Sequence, residues 1–208
     1  MRRLRITSID DRPAALAAAV DALRRGSIVA YPTDTLYGLA ADPANDAAME
    51  RLFEVKRRDR TQPIPLIAAD VEQACVAGQF GSDERRVARS FWPGPLAVVV
   101  TARASLSTLA VADDGTVAIR VPAHVLAREL ASAFGACITA TSANVSGHPP
   151  TASPDDVAAS LGDRIDLLLD GGAAPGGAPS PIVSLRNGVV TLVRTGAIAF
   201  DRVLESLK

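Results

Sequence analysis

Short apolar runs alternate with segments of helical periodicity along almost the whole chain, and this alternation limits the fold more than any other feature. In the first helical segment Leu16, Ala19, Val20 and Leu23 recur on one face, and Gly26 follows as a C-terminal cap. Further helices are predicted at residues 46–56, 71–77, 83–91, 123–134 and 154–161, the last capped by Ser153. Strands are predicted at residues 27–31, 65–68, 96–101, 117–121, 137–141, 165–169, 182–185 and 189–194. This order predicts a mixed α/β sheet with helices packed against it.

Two loop segments add to this picture. Asn187-Gly188, between the last two predicted strands, is a strong hairpin turn signal. The segment GGAAPGGAPSP, residues 171–181, is either a flexible connector or a mobile lid over a site, and the strands close on both sides favour the lid. No repeat or long linker divides the 208 residues, so we expect one domain, residues 1–208.

Composition excludes several classes of protein. The apolar runs are far shorter than the roughly 20 residues of a membrane span, and the N-terminus lacks the apolar core of a signal peptide, so we expect no membrane association and a cytoplasmic protein. A net charge of -1 argues against a broad basic surface that coats nucleic acid, although a local patch remains possible. Cys75 and Cys137 have neither a CxxC spacing nor a nearby His, which favours buried thiols over a disulfide framework or a zinc site. His124 and His148 lack a metal-binding spacing and are interpreted as structural.

Three polar clusters interrupt the apolar pattern. The first, YPTDTLYGLA at residues 31–40, carries more hydrogen-bonding groups than a plain turn needs. In the second, EVKRRDR, Lys56 is the single internal lysine; it reflects either a need for a compact ammonium or chance, and the basic run is either a solvated helix end or an anion site. The third, TATSANVSGHPP, is either an ordinary loop or a turn whose hydroxyl and amide groups face a ligand.

Arg120 lies inside the strand-like run VAIRV. An unpaired guanidinium is costly to bury, so we expect Arg120 to meet a carboxylate or phosphate, either of a ligand or of an internal Asp. The chain contains no GxxxxGK[ST], and its GGAAPGG does not lie between a strand and a helix, which disfavours a kinase and a Rossmann dehydrogenase. No GxSxG nucleophile elbow occurs either.

Six motifs together resemble one known family. PTDTLYGLA at 32–40, KRR at 56–58, WPGPLAVVV at 92–100, TVAIRVPAH at 116–124, TATSANVSG at 139–147 and VRTGAI at 193–198 occur in the order typical of the YrdC/TsaC family. The resemblance covers nearly the whole chain. It implies a YrdC-like open, twisted mixed β-sheet flanked by helices, with a concave ligand cavity.

The resemblance also implies an activity. Members of this family are L-threonylcarbamoyladenylate synthases, which convert L-threonine, bicarbonate and ATP into threonylcarbamoyl-AMP and pyrophosphate for the threonylcarbamoyladenosine (t6A) modification of tRNA. Mg²⁺ is expected with the ATP, but no residue is assigned as a metal ligand. A separate threonylcarbamoyl transferase complex is the expected partner, and a weak contact with tRNA is possible.

By similarity, each candidate site residue receives a role. The residues expected to bind threonine are Thr35, Arg120, Ala140 and Ser180, and Arg120 is expected to make a bidentate contact with the threonine carboxylate. The catalytic candidates are the KxR pair, Lys56 and Arg58, and the SxN pair, Ser142 and Asn144. The expected ATP-binding residues are Arg58, Gln62, Thr116, Ser142, Pro150 and Arg194.

Four positions depart from the family pattern: Gln62, Ile67, Pro181 and Thr195. Gln62 stands where Lys, Asn or His is usual, and Ile67 where some relatives have His. Pro181 replaces a usual Thr, and Thr195 replaces the Pro of a usual RPG, so these loops are expected to follow a different backbone path. Two alternatives to the synthase remain, namely an RNA-binding module and a carbamoyl-adenylate-forming domain of another maturation pathway.

Overall fold

The structure is a computed structural model that describes residues 1–186 and 188–208. Its strands are β1 (Arg2–Arg5), β2 (Val29–Pro32), β3 (Tyr37–Ala40), β4 (Leu66–Ile67), β5 (Gly78–Gln79), β6 (Ala97–Ala102), β7 (Thr116–Arg120), β8 (Ile138–Thr139), β9 (Thr141–Ser142), β10 (Leu167–Asp170), β11 (Ile182–Arg186) and β12 (Val189–Arg194). Its helices are α1 (Arg12–Arg24), α2 (Asp46–Lys56), α3 (Val71–Ala77), α4 (Ser82–Phe91), α5 (Val125–Phe134), α6 (Pro154–Leu161) and α7 (Phe200–Glu205), with a 3₁₀ turn at Thr108–Ala110. The predicted mixed α/β architecture is confirmed.

The strands form two hydrogen-bonded sheets. The first runs β1-β10-β2-β3-β9, with β1, β10 and β2 parallel and β3 and β9 antiparallel to their neighbours. The second runs β12-β11-β6-β7-β4-β8, with β5 paired to β6. β11 and β12 pair antiparallel, as the predicted hairpin requires, but Asn187 of its Asn187-Gly188 turn lies outside the described residues.

The two sheets join at Thr139. Its N–H donates to the carbonyl oxygen of Ala41 at 3.2 Å, and its hydroxyl accepts from the N–H of Ala41 at 2.8 Å. The next residue, Ala140, donates its N–H to the carbonyl oxygen of Pro65 at 2.8 Å. The chain therefore passes from one sheet to the other at Ala140, and the single strand predicted at 137–141 is instead two short strands, β8 and β9.

Helices cover both faces of the first sheet. Successive side chains of β2 point to opposite faces, so the strand contributes to a core on each side. Val29 and Tyr31 pack in the core formed with α1 and α5, whereas Ala30 packs with α2 and α6 on the other face. A third core lies between the second sheet and α3, α4 and α7. Within the described residues, no helix is long and apolar enough to cross a membrane.

Several elements differ from the sequence prediction. Residues 37–40 form β3 rather than part of a polar turn, so the turn itself covers only residues 33–36, where the N–H of Thr33 donates to the carbonyl oxygen of Leu36. β1 and α7 were not predicted, since β1 is a charged edge strand and α7 has only six residues. Both cysteines are free thiols, and Cys137 is buried as expected, but Cys75 is only partly buried.

Candidate active site

One cavity of about 140 Å³ lies beside the junction of the two sheets. The predicted site residues that line it are Thr35, Arg58, Arg120, Ala140, Ser142, Pro150, Ser180 and Arg194. Apolar parts of its wall come from Leu36, Pro65, Leu66, Ala97 and Pro179. Residues from all six sequence motifs thus meet at one concave surface.

Arg120, at the end of β7, meets an internal carboxylate. Its Nη1 donates to Oδ1 of Asp34 at 2.7 Å, and the two side chains are only 8% and 12% exposed. Asp34 Oδ2 accepts from the N–H of Ala123 at 3.2 Å, which fixes the carboxylate against the residues that precede α5. Arg120 therefore lines the cavity as a cation that is already paired with a carboxylate. The sequence predicted either a ligand or an internal Asp as its partner, and that internal Asp is Asp34.

The turn at residues 33–36 is held by its own threonines. The Thr33 hydroxyl donates to the carbonyl oxygen of Leu36 at 2.7 Å and lies 3.2 Å from the Thr35 hydroxyl. The carbonyl oxygen of Thr35 accepts from the N–H of Gly176 at 2.7 Å. Tyr37 makes a second contact with the glycine-rich segment, residues 171–181, because its Oη donates to the carbonyl oxygen of Gly172 at 2.7 Å.

Arg58 and Arg194 add two further guanidinium groups to the cavity wall. Arg58 follows α2 and donates from Nε to Gln62 O at 3.0 Å and from Nη2 to Pro63 O at 3.2 Å. Arg194 ends β12 and donates from Nε and Nη2 to Ser180 O at 3.1 and 2.7 Å. Burial lowers the pKa of both side chains, and Arg120 and Arg58 lower the pKa of Arg194 further. The cavity wall therefore carries mutually repelling positive charge that an anionic ligand would neutralise.

Lys56 lies beneath the SxN loop rather than on the cavity wall. Its ammonium is buried and donates to the carbonyl oxygens of Ser142 at 2.6 Å and Asn144 at 2.9 Å. The Asn144 Oδ1 lies 3.3 Å from the same ammonium and accepts from the Ser142 hydroxyl at 2.5 Å. Burial lowers the pKa of Lys56 to about 7, with a smaller contribution from Arg58. Lys56 and Asn144 thus shape the loop that presents Ser142.

Two predicted nucleotide contacts lie outside the cavity. Thr116 lines a neighbouring depression together with Pro63, Ile64, Ser184 and Val193, and its hydroxyl donates to Asp114. Gln62 is exposed beside this depression, and its carbonyl oxygen is the acceptor for Arg58. Arg58 thereby connects the cavity to the depression where Thr116 lies.

The structure also places the residues that depart from the family pattern. Ile67 is fully buried in the core with α1 and α5, so its side chain does not line the cavity. Pro181 is buried, and its carbonyl oxygen accepts from the N–H of Ala97 at 3.0 Å. Thr195 is exposed in the segment that follows β12.

The sequence did not indicate the role of Gly38, nor that Asp34 is the partner of Arg120. Gly38 pairs with Tyr31 in the β2–β3 ladder and lines the cavity, and an added Cβ would lie 3.3 Å from the Tyr31 ring. The glycine therefore leaves room for the aromatic ring beneath the cavity. A glycine between two large apolar residues, as in Tyr37-Gly38-Leu39, is a known signal of such a close approach within a strand.

The described residues offer no set of protein ligands for a metal ion. They contain no group of three or more His, Cys, Asp or Glu side chains with a suitable arrangement. Near the cavity, the carboxylate of Asp34 is occupied by Arg120 and the N–H of Ala123.

The fold and the cavity define an α/β ligand-binding domain whose cleft favours small anionic ligands. A family model described as Telomere recombination, the Sua5/YciO/YrdC domain, matches residues 21–196, and the chain belongs to this family. It is 40% identical to threonylcarbamoyl-AMP synthase of Chromohalobacter salexigens over 175 residues, which cover 83% of this chain and 94% of that protein. It is 34% identical to threonylcarbamoyl-AMP synthase of Aliivibrio fischeri over 176 residues, which cover 83% of this chain and 95% of that protein.

A solved structure shows the same fold. Sua5 of Pyrococcus abyssi, crystallised in complex with L-threonine, superposes with a TM-score of 0.90 at 30% identity. The match covers 99% of this chain but only 60% of that longer chain.

Proposed function

We propose that this protein is a threonylcarbamoyl-AMP synthase, which makes L-threonylcarbamoyladenylate and pyrophosphate from L-threonine, bicarbonate and ATP. The observation that carries the proposal is the convergence of Arg58, Arg120 and Arg194 on one small cavity with the side chains of Thr35 and Ser180. Three substrates that each bring negative charge need such fixed cations, whereas a neutral ligand would leave their repulsion uncompensated.

The amino-acid half of the site is built around Arg120. The guanidinium is held by Asp34 through Nη1, and its remaining donors would make a bidentate contact with the threonine carboxylate. Thr35, Ser180 and Ala140 line the same cavity, and the two side chains and the main chain at Ala140 would complete the pocket. The buried Asp34–Arg120 pair would orient the guanidinium before substrate arrives.

The nucleotide half extends from Arg58, Ser142, Pro150 and Arg194 toward the depression that contains Thr116, with Gln62 at its edge. Arg58 and Arg194 would meet the phosphates, and Lys56 and Asn144 would hold Ser142 in place. Mg²⁺ would accompany the ATP phosphates, and no step is assigned to it.

The reaction depends on positioning the substrates and on stabilising their negative charge, and it needs no protein nucleophile. The threonine amine takes up carbon dioxide derived from bicarbonate and loses a proton to become a carbamate. A carbamate oxygen then attacks the α-phosphorus, and the bond to the β-phosphate oxygen breaks to release pyrophosphate. The arginines would stabilise the charge that develops on the phosphates, while the pocket would hold carbamate and phosphorus in contact.

The proposal is tested by pyrophosphate release from ATP and bicarbonate with each candidate amino acid, followed by mass spectrometry of the nucleotide product. Release should require both threonine and bicarbonate, and the product should have the mass of threonylcarbamoyl-AMP. Release that is independent of threonine would refute the assignment. Tight binding of RNA without any turnover would support the RNA-binding alternative.

The product would be consumed outside this domain. Threonylcarbamoyl-AMP is a mixed anhydride and therefore a reactive acyl donor, so we propose a separate threonylcarbamoyl transferase complex as the partner that uses it on tRNA. With a net charge of -1, the chain would make at most a weak, local contact with tRNA itself. Addition of purified product to a transferase reaction that lacks this protein should restore the modification of tRNA.

A further inference from the structure

Ser180 lies between two prolines, and its main chain is held by the segment that follows β12. The carbonyl oxygen of Ser180 accepts two hydrogen bonds from one guanidinium, at 3.1 Å from Nε and 2.7 Å from Nη2 of Arg194. The N–H of Ala197 donates to the carbonyl oxygen of Pro179 at 3.0 Å. Residues 194–197 therefore hold the carbonyl groups of the two peptide bonds on either side of Ser180.

This crossing is possible only because residue 196 is glycine. A Cβ at Gly196 would lie 2.2 Å from the carbonyl oxygen of Pro179 and 2.3 Å from the nitrogen of Pro181. Both are main-chain atoms, so no side-chain rotation could relieve the overlap. The segment 179–181 could not retreat freely either, since the carbonyl oxygen of Pro181 accepts from the N–H of Ala97 in β6.

These hydrogen bonds affect the shape of the cavity, because Ser180 and Arg194 both line it. Proline at 179 and 181 restricts φ at both neighbours of Ser180, which leaves the serine main chain few alternative paths. The Ser180 side chain is thus placed at the cavity before any ligand binds. A group fixed in advance loses less conformational freedom on binding.

We propose that Arg194 and Gly196 are positioning residues for Ser180, which set the affinity for the amino-acid substrate through the main chain of residues 179–181. This role rests on the proposed function, since it assumes that Ser180 faces threonine. Arg194 thereby serves both halves of the site, because the guanidinium that lines the phosphate region also fixes a wall of the amino-acid pocket.

The test uses Gly196→Ala and Arg194→Lys, with Ala199→Ser as the matched control. Ala199 is exposed three residues beyond Gly196 at the N-cap of α7, where serine is favourable. Pyrophosphate release is measured with threonine varied at saturating ATP and with ATP varied at saturating threonine. The expected result for Gly196→Ala is a rise of about tenfold in the KM for threonine, the equivalent of one lost hydrogen bond, with little change in the KM for ATP.

Arg194→Lys keeps the charge but loses the two-pronged contact with Ser180, so it should also raise the KM for threonine. Ala199→Ser should match the wild type in both constants. An unchanged KM for threonine in both test variants, or an equal rise in both KM values for Gly196→Ala, would overturn the proposal.

A second measurement separates this proposal from the proposed function. Amide hydrogen exchange at Ala97 and Ala197 reports directly on the main chain of residues 179–181, because these N–H groups donate to Pro181 and Pro179. Gly196→Ala should exchange faster at both amides than Ala199→Ser, even if the wild type released no pyrophosphate with threonine. Unchanged exchange would show that Gly196 does not hold the segment, whereas a wild type without threonine-dependent turnover would refute the synthase assignment alone.

Discussion

The ammonium of Lys56 lies 2.6 Å from the carbonyl oxygen of Ser142, on the buried side of the loop that faces the cavity. The same nitrogen also donates to the carbonyl oxygen and side-chain oxygen of Asn144. A longer, forked guanidinium would not fit three acceptors around one point, whereas an ammonium offers three donors from a single atom. The one internal lysine of an arginine-rich chain therefore has a structural reason.

Lys56→Ala should loosen the SxN loop without unfolding the protein. Two buried carbonyl oxygens would lose their donor, so the free energy of unfolding should fall by about 2–3 kcal/mol. Turnover should fall as well, because Ser142 would no longer be held at the cavity. Urea denaturation and pyrophosphate release measure the two effects. Arg57→Ala removes an exposed neighbouring charge and should change stability by less than about 0.5 kcal/mol. Unaltered turnover of Lys56→Ala would mean that the lysine only terminates α2.

The low pKa of Lys56 makes stability depend on pH in a defined direction. Burial lowers this pKa from the ordinary 10.5 to about 7, so between these values the unfolded chain binds a proton that the folded chain has lost. Unfolding then takes up a proton, and the stability contributed by this group rises with pH across that window and is constant below pH 7. The stability difference between the wild type and Lys56→Met should therefore widen from neutral to alkaline pH. Denaturation curves at several pH values test this, and a constant difference would contradict it.

Apolar periodicity predicted most elements because each of them buries one face. Two of the strands that it missed lack this signal for identifiable reasons: β1 has three arginines in four residues at a sheet edge, and β3 contains Gly38, which contributes no side chain to the pattern. Periodicity also joined β8 and β9, since the change of sheet at Ala140 is made by main-chain hydrogen bonds that leave no trace in side-chain type.

The residues of the site could likewise be predicted from the sequence, but their arrangement in space could not. Resemblance to the family selected eight residues that do line the cavity, and six of them carry a hydroxyl or a guanidinium group. It could not distinguish Ser142, on the wall, from Lys56, beneath it, since both belong to polar motifs and differ only in depth. Nor could it pair Arg120 with Asp34, because 86 residues separate them in the chain.

Tyr37→Phe should free the glycine-rich segment from the site. The lost hydrogen bond to the carbonyl oxygen of Gly172 should lower the free energy of unfolding by about 1 kcal/mol. Amide exchange at Ala174 and Gly176, whose N–H groups donate to Ala152 and Thr35, should accelerate. Tyr31→Phe is the matched control: it loses a buried bond to the carbonyl oxygen of Thr139 and should leave exchange in the segment unchanged. Equal exchange in both variants would show that Tyr37 does not anchor this segment.

Arg120→Ala should weaken threonine binding much more than ATP binding, because Arg120 is the guanidinium assigned to the carboxylate. The variant also leaves Asp34 buried without its cation, so the free energy of unfolding should fall by about 3–5 kcal/mol, as is typical when one partner of a buried pair is removed. Asp34→Ala should be destabilising too, but adding it to Arg120→Ala should cost little more, since no charge is then left unpaired. Calorimetric titration with threonine and with a non-hydrolysable ATP analogue measures the two affinities, and denaturation of the four proteins completes the cycle. Equal losses of affinity for both ligands would contradict the role of Arg120, and additive stability losses would show that the 2.7 Å contact with Asp34 contributes no coupling.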